Sequence, residues 1–426
     1  MRKTTKTAKM LVAFGLVALV AAACSSDKAK DTTASTEAAA TDVAATDAPA
    51  TEAAATEAAA ATEAAATEAA ATEAAAAATP ATCATPTAIK LQLQWVTQAQ
   101  FAGYYAAADQ GFYKAACLDV SIIEGGVDIV PQTQLATGAV DYAVSWVPKA
   151  LASREQGAGI TDVGQIFERS GTLQVSWKDS NITKAADLKG KKVGNWGFGN
   201  EFELFAGMTK AGLDPAKDVT LVQQSFDMQA LLKKEIDAAQ AMTYNEYAQV
   251  LEAKGADGKL NTPDMFNTIN WNTEGTAMLQ DAIWASTDKL KDAAYQDQTT
   301  RFVKASVEGW IFCRDNADKC VDIVVGKGSK LGKSHQQWQM NEINKLIWPS
   351  TSGIGMINQS QWDQSVKVAM ETKNAEGATV ITKAPDAGAM SNDYITKALA
   401  DLKTAGADVS GAGWTPATVT LNEGGA

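Results

Sequence analysis

Ile89-Lys90-Leu91-Gln92-Leu93-Gln94-Trp95 alternates apolar and polar residues, Phe101 to Ala115 follows with helical spacing, and Leu118-Asp119-Val120-Ser121-Ile122-Ile123 is a second extended run. A period of two is the mark of a half-buried strand, so this stretch predicts strand, helix, strand. The pattern continues through Tyr142-Ala143-Val144-Ser145, a helix near Pro148 to Gln156, and an extended run from Thr172 to Trp177. A second cycle starts at Lys191-Lys192-Val193-Gly194, with a helix from about Asn200 to Ala211 and a strand at Val219-Thr220-Leu221-Val222. After about Ile283 the chain reads mostly as helix. Strands alternating with helices over short connections predict parallel sheets covered by helices. Two such cycles predict two α/β lobes with the chain crossing between them, and a ligand cleft at the carboxyl ends of the strands.

The ends of this region follow from composition. Arg2, Lys3, Lys6 and Lys9 precede an apolar run from Leu11 to Val20 that is too short for a stable membrane span. Ala21-Ala22-Ala23-Cys24 then reads as a bacterial lipobox, with Cys24 diacylated; the alternative is an ordinary secretory signal with an incidental cysteine. Removing residues 1–23 takes those four positive charges with it and leaves an exported, more acidic chain. From residue 27 to 88 the sequence is low in complexity, with Thr-Glu-Ala-Ala-Ala recurring from Thr51 to about Glu73, and it lacks the large apolar residues of a core. As coil, a tether of about 60 residues reaches on the order of 40 Å. The expected organisation is a signal peptide over 1–23, a tether over 24–88, the first lobe over 89–180, the second over 181–282, and a return to the first over 283–426. The expected location is the extracytoplasmic face of the cell membrane, held there by lipid on Cys24.

Composition removes whole classes of function. Hydrophobic residues make up 46% of the 426 and charged residues 20%, enough for a globular core. The formal net charge of −12 opposes nucleic-acid binding, which needs a basic footprint. There is one histidine, His335, so Ser-His-Asp triads, Cys-His dyads and multi-histidine metal sites are disfavoured. His335 itself, in Lys333-Ser334-His335-Gln336, reads as a surface residue. Cys83, Cys117, Cys313 and Cys320 contain no Cys-x-x-Cys unit, which argues for disulfides over a metal site in an exported chain. Cys313 and Cys320 flank a polar break between two helical runs. Cys83 and Cys117 precede two strands that start at the same sheet edge. No resident metal or cofactor is expected.

Several short motifs, in order, carry a resemblance. They are Gln94-Trp95, Gln100-Phe101-Ala102-Gly103-Tyr104-Tyr105-Ala106-Ala107-Ala108-Asp109-Gln110-Gly111-Phe112-Tyr113, Leu118-Asp119-Val120, Gly138-Ala139-Val140-Asp141-Tyr142, Asp187-Leu188-Lys189-Gly190-Lys191-Lys192-Val193-Gly194 and Leu231 to Ala239. Over roughly residues 89–370 the chain resembles the solute-binding proteins of ABC importers for nitrate, alkanesulfonates and thiamine-pyrimidine precursors. The branch it looks most like is the thiamine-pyrimidine group, with its pyrimidine synthases and its pyrimidine- and riboflavin-binding proteins. The resemblance implies an α/β, two-lobed periplasmic-binding-protein fold of the type II kind, closing on a small molecule as a monomer and delivering it to ABC permease subunits. The synthases place a histidine just after the first strand and carry a cysteine-rich motif. Phe101 stands at the matching position here and no cysteine cluster exists, so a binding protein is expected rather than an enzyme; a pyrimidine-synthase-like enzyme is the alternative.

The ligand class is read from side-chain chemistry. Glycines in Gly194-Asn195-Trp196-Gly197-Phe198-Gly199-Asn200 permit close backbone approach, but Glu201 and Glu203 in the following first turn oppose an anion, which disfavours the sulfonate and nitrate reading. Trp95, Phe101, Tyr104, Trp146, Trp196, Phe198 and Tyr244 fall near strand ends or loop starts and offer flat apolar faces for a heteroaromatic ring. Gln98, Gln174, Asn200, Glu201 and Asn245 are candidate readers of ring nitrogens and exocyclic groups. Riboflavin and the thiamine pyrimidine remain the two leading ligands. Trp310, Trp338, Trp348 and Trp362 lie on helical patterns and read as packing, and Lys149 reads as a solvated lysine opening a helix.

Overall fold

The computed structural model describes residues 83–197 and 199–426. The signal peptide, the lipidation of Cys24, most of the tether and the candidate ligand residue Phe198 lie outside the described residues. Among the described residues ten strands form two sheets. They are β1 (Thr87–Gln92), β2 (Leu118–Ile123), β3 (Tyr142–Trp146), β4 (Ile160–Gln165), β5 (Thr172–Trp177), β6 (Lys192–Asn195), β7 (Thr220–Gln223), β8 (Ala238–Met242), β9 (Phe266–Asn270) and β10 (Asp281–Ser286). The first sheet has the order β2-β1-β3-β10-β4 and the second the order β7-β6-β8-β5-β9.

The two-lobed α/β architecture is present, but neither sheet is purely parallel. Within each sheet three strands are parallel, β2-β1-β3 and β7-β6-β8. Beside them β10 runs antiparallel to both β3 and β4, and β5 antiparallel to both β8 and β9. The reversed strands are the ones that follow each passage between lobes, residues 166–171 on the way out and 271–280 on the way back. A chain that arrives from the neighbouring lobe enters the new sheet at its cleft end, so its first strand points away from the cleft. Strand runs rich in apolar residues on both faces carry no signal of direction, which is why the alternation alone predicted parallel pairing.

Period-two alternation accounts for the cores. In β3, Tyr142, Val144 and Trp146 face one cluster with Phe101, Phe302 and Trp310, while Ala143 faces another with Val147, Trp284 and Trp362. The second sheet is likewise covered on both sides, by a cluster around Leu204, Met208 and Trp271 and by one around Leu173, Val250 and Phe266. The helical run predicted from Phe101 to Ala115 is broken in two, Ala102–Asp109 and Phe112–Ala115, because Gly111 turns the chain at φ 77°. Disulfides join Cys83 to Cys117 and Cys313 to Cys320. Trp310, Trp348 and Trp362 are buried in packing roles. His335, read from sequence as a surface residue, is instead buried: Nδ1 lies 2.8 Å from Glu252 Oε1 and Nε2 lies 3.0 Å from Asn245 Oδ1. Its helix (Lys333–Ile347) looks amphipathic on its own, but the second lobe covers the face that the pattern leaves polar.

Candidate functional site

Loops at the carboxyl ends of the strands converge on a cavity of about 420 Å³ between the lobes, a size ordinary for a small-molecule site. After β1, the loop carrying Gln94, Trp95 and Gln98 is strapped to the loop after β2. Leu93 N donates to Ile123 O at 2.9 Å and Gly125 N to Trp95 O at 2.9 Å. The strap needs a glycine, since a Cβ on Gly125 would sit 2.5 Å from Leu93 O and Gln94 C. After β3 come Trp146 and the helix Val147–Glu155, which brings Lys149 to the cavity. The second lobe supplies Trp196 after β6, Phe226 after β7, and Tyr244, Asn245 and Glu246 after β8.

Aromatic faces dominate the site. Phe226 stands between the lobes, 4.6 Å from the Trp95 ring of the first and 6.0 Å and nearly parallel to the Trp196 ring of the second. Trp196 is fixed by its backbone N–H, which donates to Gln240 Oε1 at 3.1 Å. Its indole N–H is buried without a partner among the described residues. Val127, Ile129 and Val130 form an exposed apolar rim beside the opening.

The polar groups beneath the first lobe converge on Asp281, at the start of β10. Its carboxylate accepts from Gln94 Nε2 at 2.7 Å, from Gln100 Nε2 at 3.1 Å to both oxygens, and from Trp146 Nε1 at 3.2 Å. Burial pushes the Asp281 carboxyl up to about 7, against the lowering effect of these bonds. On the second lobe, burial likewise raises Glu246 to about 7, although it accepts the backbone N–H of Met242 and the Asn245 amide.

Lys149 departs from its reading as a solvated helix-opening residue. It reaches across the cleft, with Nζ donating to Asn200 Oδ1 at 2.7 Å and lying 4.8 Å over the Trp146 ring. Desolvation lowers its pKa to about 8, with Glu201 and Asp281 pulling the other way. Glu203, expected to repel anions from a helix start, does not face the cleft. Its Oε2 accepts from Ser170 Oγ at 2.6 Å and its Oε1 from Met278 N at 2.8 Å, so it binds both passages between the lobes.

Of the candidate ligand residues, Trp95, Gln98, Trp146, Trp196, Asn200, Tyr244 and Asn245 line this one cavity. Phe101, Tyr104, Gln174 and Glu201 do not. Phe101 is fully buried, and Tyr104 packs edge-on to Trp310 at 5.7 Å, because the helix they open turns those positions toward the long helix Ala293–Asp315. Gln174 lies within the second sheet and donates to Gly194 O at 2.9 Å. Glu201 stands at the N-cap position of the helix Phe202–Lys210, half-buried and making no side-chain cap bond. Gln94, Phe226 and Asp281 were missed. Phe226 obeys the rule that found Trp196, an aromatic just past a strand. Asp281 was legible as the lone charge in Met278-Leu279-Gln280-Asp281-Ala282-Ile283-Trp284.

The chain is 25% identical over 301 residues to riboflavin-binding protein RibY of Chloroflexus aurantiacus, covering 68% of this chain and 82% of that one. It is 21% identical over 254 residues to the formylaminopyrimidine-binding protein of Halalkalibacterium halodurans, covering 58% and 74%. A Haemophilus influenzae protein named for thiamine biosynthesis is 32% identical over 151 residues, 35% of this chain and about half (48%) of that protein's length. Among solved structures, the periplasmic aliphatic sulphonate binding protein SsuA from Escherichia coli superposes with a TM-score of 0.51 at 17% identity, over 66% of this chain and 90% of that one, and so shares the fold. The family model described as NMT1/THI5 like matches residues 98–320, more than half of the sequence, and the chain belongs to that family.

Proposed function

We propose that this chain is the substrate-binding component of an ABC importer, which captures a neutral heteroaromatic vitamin or vitamin precursor between its lobes. Riboflavin and the thiamine pyrimidine are the two ligands in view, and permease subunits are the partners that receive the ligand. The observation that carries this reading is the set of aromatic rings, Trp95, Trp146, Trp196, Phe226 and Tyr244, that both lobes bring to one cavity. Flat rings bind between such faces by stacking, roughly 0.5–1.5 kcal/mol per pair beyond the burial of area. The names of two relatives, one binding riboflavin and one a formylaminopyrimidine, support the same class. Charge supports neutrality: among the described lining residues Lys149 is the one cation, it is held by Asn200, and Glu201 and Asp281 lie near enough to raise its pKa. Binding without chemistry is supported by Phe101, which stands in the core where the resemblance puts a synthase histidine. Acylation of Cys24 would hold the protein at the outer face of the cell membrane, as a monomer beside its permease.

Native mass spectrometry with a visible absorption spectrum on the full chain, purified without denaturation, tests this directly. A co-purifying flavin, yellow and of matching mass, identifies riboflavin. A colourless protein that binds 4-amino-5-hydroxymethyl-2-methylpyrimidine by calorimetry identifies the pyrimidine. Binding of neither overturns the proposal.

A further inference from the structure

Asp281 is only 2% exposed and accepts three side-chain N–H groups, from Gln94, Gln100 and Trp146. The Trp146 indole N–H can only donate, and both glutamine amides turn their nitrogens to the same two carboxyl oxygens. Gln100, with its amide nitrogen committed, has only Oε1 left, and this accepts from Gln98 Nε2 at 2.7 Å. Gln98 in turn is left with Oε1, a buried acceptor without a hydrogen-bond partner among the described residues. Across the cleft, the Trp196 indole N–H is a buried donor without a partner among the described residues. Both side chains line the same cavity, one from each lobe, and both are at least nine-tenths buried. Buried polar groups left without partners are costly, and in a binding cleft the ligand is the natural partner.

We propose that the cleft reads a neutral donor–acceptor edge, in which Gln98 Oε1 accepts from a ligand N–H and Trp196 Nε1–H donates to a ligand carbonyl or ring nitrogen. Asp281 is the positioning residue that fixes the polarity of the Gln98 end through Gln100. This rests on the reading of the cleft as a heteroaromatic site and sharpens it. An imide, with N–H between carbonyls, and an aminopyrimidine, with an amino group beside a ring nitrogen, both carry such an edge. A sulfonate offers acceptors alone and would set oxygen against oxygen at Gln98.

The test compares ligands that differ at one hydrogen. Riboflavin is titrated against 3-methylriboflavin, which lacks the imide N–H. The pyrimidine is titrated against its 4-dimethylamino derivative, and ethanesulfonate serves as the acceptor-only probe. The expected result is at least tenfold weaker binding of whichever methylated partner corresponds to the bound vitamin, and no binding of ethanesulfonate. In Gln98→Met and Asp281→Asn the preference for the unmethylated ligand should shrink toward unity, which a merely structural role would not produce, since it would weaken both ligands together. If Asp281→Asn fails to fold, Gln98→Met and the comparison on the natural protein still decide. Methylation that changes affinity less than threefold overturns the donor–acceptor reading and leaves the proposed function standing. Failure of both parent heteroaromatics to bind overturns the proposed function, and this inference with it.

Discussion

Trp196 shows how far a single residue could be read and where reading stopped. Its place just past a strand of the second cycle marked it as a ring at the cleft, and the structure sets it at the cavity beside Phe226, 6.0 Å away and tilted by only 19°. Replacing it with alanine removes one stacking face and the apolar area beneath it. The expectation for Trp196→Ala is at least tenfold weaker binding of riboflavin or the pyrimidine, or about 1.4 kcal/mol, measured by calorimetry. A loss under threefold would remove Trp196 from the stack. The same sequence rule failed at Phe101 and Tyr104, because they open a helix and a helix turns each successive side chain by about 100°. Their direction depends on the helix Ala293–Asp315, nearly 200 residues later in the chain, and no local pattern encodes it. Lys149 failed for a related reason: it looks solvated until a second lobe is laid over it.

Among the elements, the helix Phe202–Lys210 fastens the passages between lobes. Glu203 ties Ser170 and Met278, while Gln280 donates to Ser170 Oγ and Thr172 Oγ1 and accepts from Gly171 N, so one buried network holds both crossings. Burial raises the Glu203 carboxyl from 4.5 to about 7. A carboxyl whose folded pKa is raised binds protons more tightly when folded, so its favourable contribution is complete below about 4.5 and is lost as pH rises through about 7. Thermal unfolding measured from pH 5 to 8 should therefore show stability falling with pH. Glu203→Gln should flatten that slope without abolishing it, since Asp281 and Glu246 shift in the same direction. An unchanged slope would mean that Glu203 is not the titrating group. Glu203→Ala strands the Ser170 hydroxyl and the Met278 N–H and should cost about 1–3 kcal/mol at any pH. At this scale sequence placed β1, β2, β3, β5, β6 and β7 to within a few residues but named no strand at β4, β8, β9 or β10, the last lying where the chain read as turning helical. It also missed the reversal of β5, because strand direction is set by the path between lobes.

For the molecule as a whole, Lys149 Nζ to Asn200 Oδ1 at 2.7 Å and the Trp95–Phe226 ring pair at 4.6 Å join the lobes across the cavity, beside the bonds from His335 and Trp338 of the return segment to Glu252, Asn245 and Thr243. Each is worth on the order of 1 kcal/mol, little beside the cost of exposing a lobe's core but enough to bias a rigid-body hinge. A shift of about 1.4 kcal/mol changes the open-to-closed ratio tenfold, so removing the pair should loosen closure in the absence of ligand even with the His335 and Trp338 bonds in place. The double variant Lys149→Met, Phe226→Ala should open: small-angle scattering of the ligand-free protein should give a larger radius of gyration than the natural chain, with compaction on adding the bound vitamin. Its affinity should fall through the reduced share of closed molecules as well as through lost contacts. Because the hinge network around Glu203 is untouched, the melting temperature should stay close to that of the natural protein. If the two ligand-free proteins scatter alike, these contacts do not hold the lobes together, and closure rests on the passages and on the His335 and Trp338 bonds to the second lobe.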